Sequence, residues 1–224
     1  MSKLKIAVLF SGSASSLRYL FENDPNYGVT YEIVCGATNK KDTKGEKFCI
    51  EHNIDFIKLN TKTFCLEDGY TGKLRDMPKE LRREYYFSLL NRIRIFSPDL
   101  ILLSGFMLEI VEPLLGYRPI INVHPADLRI KGPDGKPKYT GDDAVTLAIK
   151  AGEKSTVSTI HFVEKEVDCG EIICVSDPLP VEEGTTPSEH QEKMKFACDG
   201  PAYKKALEIF CRKFQEEKKQ QALP

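Results

Sequence analysis

Asn122 and His124 stand one residue apart in Ile120-Ile-Asn-Val-His-Pro125, where a short apolar run gives way to proline. In an extended segment residues i and i+2 point to the same face, so a carboxamide and an imidazole converge on one region of space. Both can donate hydrogen bonds to an oxygen on which negative charge develops, which is what acyl or carbonyl transfer requires. Pro125 fixes the direction of the chain beyond the histidine. A second segment, His161-Phe-Val-Glu-Lys-Glu-Val-Asp-Cys-Gly170, offers Asp168 in a turn. A carboxylate close to His124 would favour the imidazolium and could relay a proton from an attacking amine through water. Each residue also has a plain structural reading, a histidine ending a strand and an aspartate making a turn. His161 reads as a core or supporting histidine, and His52 and His190 lie in polar helical surroundings without a signal.

The small-residue run Ser11-Gly-Ser-Ala-Ser-Ser16 follows the apolar segment Lys5 to Phe10 and precedes a helical pattern from Leu17. Such a turn lets backbone N–H groups approach an anion at a helix start, and serves equally as an ordinary strand-to-helix turn. It lacks both Gly-x-Gly-x-x-Gly and the Gly-Lys-Ser/Thr of a P-loop, so neither dinucleotide nor triphosphate binding is indicated. No His, Cys, Asp and Glu set has zinc-ligand spacing, and no metal is expected.

The elements that must position these residues alternate in type. Strands are expected at Lys5 to Phe10, Tyr31 to Ala37, Ile54 to Leu59, Asp99 to Gly105 and Ile120 to Val123, with helices at Asp42 to Glu51 and Pro78 to Phe96. Alternation of this kind predicts an α/β fold with parallel pairing and crossover helices. Arg129 to Gly141, with three glycines and two prolines, reads as a loop. A helix at Asp142 to Ala151, strands at Ser155 to Val163 and Glu171 to Val175, and a C-terminal helix at about 187–218, interrupted near Gly200-Pro201, complete the pattern. One domain over 1–224 is expected, without repeats or a dividing linker.

A formal net charge of -1 gives no electrostatic reason to expect a polyanion partner, so no nucleic acid is expected. The N-terminal apolar run is too short for a signal peptide, and no later run approaches a membrane span. A cytoplasmic protein with no membrane association follows as the expectation. Seven cysteines, an odd number with no Cys-x-x-Cys pair, read as buried free thiols.

With those residues in view, the chain resembles the folate-dependent formyltransferases, closest to those acting on glycinamide ribonucleotide. The likeness runs through Lys5 to Leu17, Leu100 to Met107, Asn122 to Leu128 and Ser158 to Ile172. Its specific part is Asn-x-His-Pro followed some forty residues on by His-x-Val-x-x-x-x-Asp-x-Gly. The resemblance implies a Rossmann-like, mostly parallel central sheet with helices on both faces, and 10-formyltetrahydrofolate as co-substrate. It implies Asn122, His124 and Asp168 as the catalytic residues, and Gly12, Ser13, Ala14, Ser15 and Ser16 as the loop for a substrate phosphate. Leu103, Gly105, Phe106, Met107, Val167 and Gly170 would line the folate pocket. The partners implied are small-molecule substrates, for a monomer or homodimer.

Departures from the family pattern concern the acceptor. Ala14 stands where the phosphate loop usually has glycine and Ser16 where it has asparagine, the 129–141 loop is longer, and Cys198 takes the place of a glutamate. Glycinamide ribonucleotide, in purine biosynthesis, is the acceptor implied. The alternatives are an amino sugar nucleotide, water (a deformylase), and a small-molecule-binding protein without turnover.

Overall fold

The computed structural model describes residues 2–221, so residue 1 and residues 222–224 of the expected 1–224 domain lie outside the described residues. Strands β1 (Leu4–Phe10), β2 (Tyr31–Thr38), β3 (Phe56–Lys58), β4 (Leu100–Leu103), β5 (Ile120–His124), β6 (Ser155–Thr156), β7 (Thr159–Phe162), β8 (Ile172–Val175) and β9 (Leu179–Pro180) alternate with helices. The helices are α1 (Ser15–Asn23), α2 (Lys44–Glu51), α3 (Thr61–Glu67), α4 (Lys79–Ile93), α5 (Ala144–Lys150), α6 (Pro187–Met194) and α7 (Gly200–Gln221). The main sheet has the order β3-β2-β1-β4-β5-β7-β8, and β6 pairs with β9. The chain forms two compact units, each drawn from separated stretches: residues 4–14 with 31–120, and residues 15–30 with 2–3 and 121–221 as far as described.

The first unit is the parallel one. β1 pairs in parallel with β2 on one side and β4 on the other, and β2 with β3. Ile6, Ala7, Val8, Leu9 and Phe10 are all fully buried, as a strand covered on both faces must be, which is why it reads as a continuous apolar run. A Cβ at Gly45 would lie 2.5 Å from the Phe10 ring, so glycine there lets the start of α2 close onto the sheet. Thr43 caps α2 through the Glu46 N–H. Tyr85 and Tyr86 of α4 are buried whole, with their phenols donating to the carbonyls of Leu59 and Leu108.

The second unit carries the antiparallel strands. β5 pairs with β7 and β7 with β8, because a short turn rather than a crossover helix joins β7 to β8. α6 opens with a capping box, Thr186 and Glu189, with Pro187 in its first turn. α7 meets α1 at Gly200, where a Cβ would fall 2.2 Å from the Tyr19 ring.

Several boundaries differ from the sequence reading. α1 starts at Ser15, two residues before Leu17, so Ser15 and Ser16 belong to its first turn. α3, capped by Asn60, escaped notice because seven residues show too little periodicity. The strand expected over Ser155 to Val163 is two strands, β6 and β7. The C-terminal α-helix is interrupted next to Gly200-Pro201, as expected, and the interruption is a π-helical turn at Lys195–Asp199 that leaves Pro201 in the first turn of α7. The 129–141 loop is a tight hairpin closed by a Lys131–Pro137 bridge and by Lys138 N donating to Ile130 O at 2.9 Å. His190, read as lying in polar surroundings, is buried at 1% exposure and hydrogen-bonded to the Thr156 hydroxyl at 2.7 Å.

Candidate active site

Asn122, His124 and Asp168 come together in the second unit. β5 delivers Asn122 and His124 opposite His161 and Thr159 of β7. The Asp168 carboxylate, 7% exposed, projects from the turn between β7 and β8. Its Oδ2 lies 3.4 Å from His124 Nδ1 and its Oδ1 3.7 Å from His161 Nε2. Asp168 adopts φ 56°, a left-handed conformation that Asp tolerates better than most side chains. Two residues on, a Cβ at Gly170 would lie 1.9 Å from the Phe162 carbonyl oxygen, so only glycine lets the turn close against β7.

The hydrogen bonds assign ring protons by elimination. A carbonyl only accepts, so His124 Nε2 carries the hydrogen it gives to Tyr139 O at 2.7 Å. His161 Nδ1 donates to its neighbour's carbonyl, Phe162 O, at 2.9 Å, which leaves Nε2 to accept from the Asn122 amide at 3.3 Å. Burial lowers the His161 pKa, partly opposed by the Asp168 charge and the Phe162 carbonyl, so the neutral ring matches this pattern. His161, 2% exposed and bonded to Asn122, takes the core or supporting place read for it from the sequence, and its contact with Asn122 is what the sequence did not show. The signal for it is register: it lies directly across from Asn122.

Behind β7, the Ser158 hydroxyl donates to Asp199 Oδ1 at 2.5 Å. Burial pushes the Asp199 carboxyl up to about 6 despite that bond and the nearby Lys195. Cys198 is fully buried in a cluster with Val145 and Met194, so its thiol presents nothing to a substrate.

The remaining expected residues lie in two groups. In the first unit, the Ser11 hydroxyl donates to Asn39 Oδ1 at 2.7 Å and accepts from Met107 N at 2.9 Å, while Ser11 N donates to Gly105 O at 3.1 Å. The start of the small-residue loop and the Leu103 to Met107 segment, with Gly105 and Phe106 between, are therefore joined. Ala14 takes φ 50°, so the loop keeps at this position the left-handed turn for which glycine is the usual choice. Gly12 has open space where a Cβ would stand, and Ser13 is half-buried. In the second unit, Ser15 and Ser16 begin α1, and Val167 and Gly170 flank Asp168. Met107 and Val167 are apolar yet 56% and 55% exposed. Among the described residues, no group of three or more His, Cys, Asp or Glu side chains could hold a metal ion, and no helix is long and apolar enough to cross a membrane.

This arrangement suits carbonyl transfer, and comparison with known proteins gives its class. The family described as formyl transferase matches residues 4–206. Phosphoribosylglycinamide formyltransferase of Haemophilus influenzae is 30% identical over 175 residues, covering 75% of this chain and 70% of that one. The chain belongs to the formyl transferase family. The trifunctional purine biosynthetic protein adenosine-3 of Chironomus tentans is 28% identical over 212 residues, 92% of this chain but 14% of that protein, so the chain spans a small part of the trifunctional relatives it matches. The solved structure of glycinamide ribonucleotide transformylase 1 from Symbiobacterium toebii superposes with a TM-score of 0.75 at 23% identity, over 94% of this chain and 88% of that one. At that identity the likeness speaks for the fold, the Rossmann-like sheet expected from the sequence.

Proposed function

We propose that the protein transfers a formyl group from 10-formyltetrahydrofolate to the primary amine of a small phosphorylated acceptor, glycinamide ribonucleotide, in purine biosynthesis. Family membership supports the reaction class. The observation that carries the reading further is the Asp168 carboxylate enclosed by His124 and His161, with Asn122 beside them.

The folate supplies an electrophilic formyl carbon. Asn122 gives one amide hydrogen to His161 and keeps the other for the formyl oxygen. A preorganised donor of this type is worth about 10²–10³ in kcat. Each nitrogen of His124 faces an acceptor oxygen, Tyr139 O at 2.7 Å or Asp168 Oδ2 at 3.4 Å, which fixes the orientation of the ring beside the reacting centre. Asp168 Oδ1 and the unprotonated Nε2 of His161 face each other across 3.7 Å. A proton leaving the attacking amine would be taken between them, directly or through water, and passed to the folate nitrogen as its bond to the formyl carbon breaks.

The residues present fit the folate. Within the first unit Leu103, Gly105, Phe106 and Met107 would hold it, and the exposed apolar side chain of Met107 suits a planar, largely apolar ring. Gly12, Ser13, Ala14, Ser15 and Ser16 would hold the acceptor phosphate. A cytoplasmic protein acting on small molecules, as a monomer or homodimer, belongs to the same reading. The alternative acceptor is an amino sugar nucleotide, because the 129–141 hairpin and Cys198 depart from the acceptor pattern of the resembled family.

The test is formyl transfer assayed with glycinamide ribonucleotide, an amino sugar nucleotide and water in turn. Turnover with the ribonucleotide is expected. Turnover with the amino sugar nucleotide alone moves the acceptor, release to water alone makes the protein a deformylase, and binding of folate and acceptor without turnover refutes the enzyme reading.

A further inference from the structure

Residues 139–141 touch two of the three clustered polar side chains through main-chain atoms: Tyr139 O accepts from His124 Nε2 at 2.7 Å and Gly141 N donates to Asp168 Oδ2 at 2.8 Å. Main-chain groups are only as well placed as the anchors of their segment. Here the anchor is the Tyr139 side chain. Its ring, 2% exposed, packs with Ala126, Ala144 and Ala148, with Ile130 against them, and its phenol donates to Glu153 Oε1 at 2.7 Å. The hairpin bond from Lys138 N to Ile130 O brings the chain to that point. A second tether, the Lys136–Glu166 ion pair, has both side chains more than half exposed, and an ion pair in water holds little.

We propose that Tyr139 is a positioning residue for the reaction: its carbonyl fixes the hydrogen on His124 Nε2 and the orientation of that ring, and its phenol, seated on Glu153, holds the carbonyl in place. The kinetic consequence rests on the formyl-transfer reading, while the structural consequence does not. Small displacements of a reacting constellation reduce turnover without weakening substrate binding, and this separates positioning from a bulk contribution to stability. Besides Tyr139 O, the groups bearing on the His124 ring are Asp168 and, beyond it, His161.

Tyr139→Phe retains the buried ring and removes the bond to Glu153. The expected result is a fall in kcat of about 5–10-fold with KM unchanged. In ¹⁵N-edited NMR of the imidazoles, the His124 Nε2 hydrogen should exchange faster with solvent. Glu153→Ala should repeat both effects, Glu153→Gln, which keeps an acceptor, should rescue them, and Tyr139→Phe with Glu153→Ala should be no worse than either alone, since the same bond is lost in each. Lys136→Ala should leave kcat and the His124 signal at native values. A folded Tyr139→Phe protein with native kcat and a native His124 signal would overturn the proposal. If the native protein shows no transfer, the reading of the reaction fails, and the NMR comparison alone still decides whether Tyr139 positions His124.

Discussion

Asp168 Oδ2 sits 3.4 Å from His124 Nδ1, with both side chains almost sealed from solvent at 6% and 4% exposure. A carboxylate and an imidazole withheld from water interact far more strongly than a surface pair, and Gly141 N gives Asp168 a further hydrogen bond. Their meeting depends on a turn that only a few residue types can make, with φ 56° at Asp168 and no room for a Cβ at Gly170.

Gly170→Ala forces a methyl onto the Phe162 carbonyl, backbone against backbone, where no side chain can move aside. The variant should lose about 3 kcal/mol or more of stability, read as a lower urea midpoint. A midpoint equal to the native value would show that the turn tolerates a side chain.

Asp199 reverses the usual pH dependence of a carboxylate. Its folded value, about 6, stands above the ordinary 3.8. The folded state therefore keeps a proton that the unfolded chain releases, and stability contributed at low pH is lost as pH rises through about 4 to 6. Asp199→Asn keeps an acceptor for Ser158 and removes the penalty. It should raise stability at pH 7.5 by up to roughly 3 kcal/mol and change it little below pH 4. Equal stability of the two proteins at pH 7.5 would contradict this.

His161 works in the opposite direction. Burial lowers its pKa from 6.5, so the unfolded chain takes up a proton as pH falls through about 6.5 while the folded chain does not. Its contribution is complete above pH 6.5 and declines below it. His190, also lowered by burial with Lys193 adding to the effect, has the same sign. Denaturant midpoints between pH 7.5 and 5.5 should fall less steeply for His161→Asn than for the native protein, and a steeper fall would count against a buried neutral ring.

The same residues explain what could be read in advance. Asn122 and His124 were legible because strand periodicity is local, and β1 and β4 because a doubly covered strand is a continuous apolar run. His161 was legible as a core or supporting histidine, but not that it faces Asn122, because antiparallel register is encoded by no local pattern. Tyr139 was hidden for a similar reason. Glycines and prolines mark 129–141 as irregular, but the bridge that folds it and the carbonyl that meets His124 arise from contacts distant in sequence. The interruption of the C-terminal helix was legible because Gly200 and Pro201 disfavour a helix interior, but its form, a π turn just before them, was not.

Asp168→Asn is the substitution on which the account of the site depends most directly, since asparagine is nearly isosteric, tolerates the left-handed conformation and removes only the charge. Formyl transfer from 10-formyltetrahydrofolate to glycinamide ribonucleotide should fall by about 10²–10⁴ in kcat while the variant stays folded. Turnover by folded Asp168→Asn at the native rate would contradict the assignment of the Asp168, His124 and Asn122 cluster as the centre of the reaction.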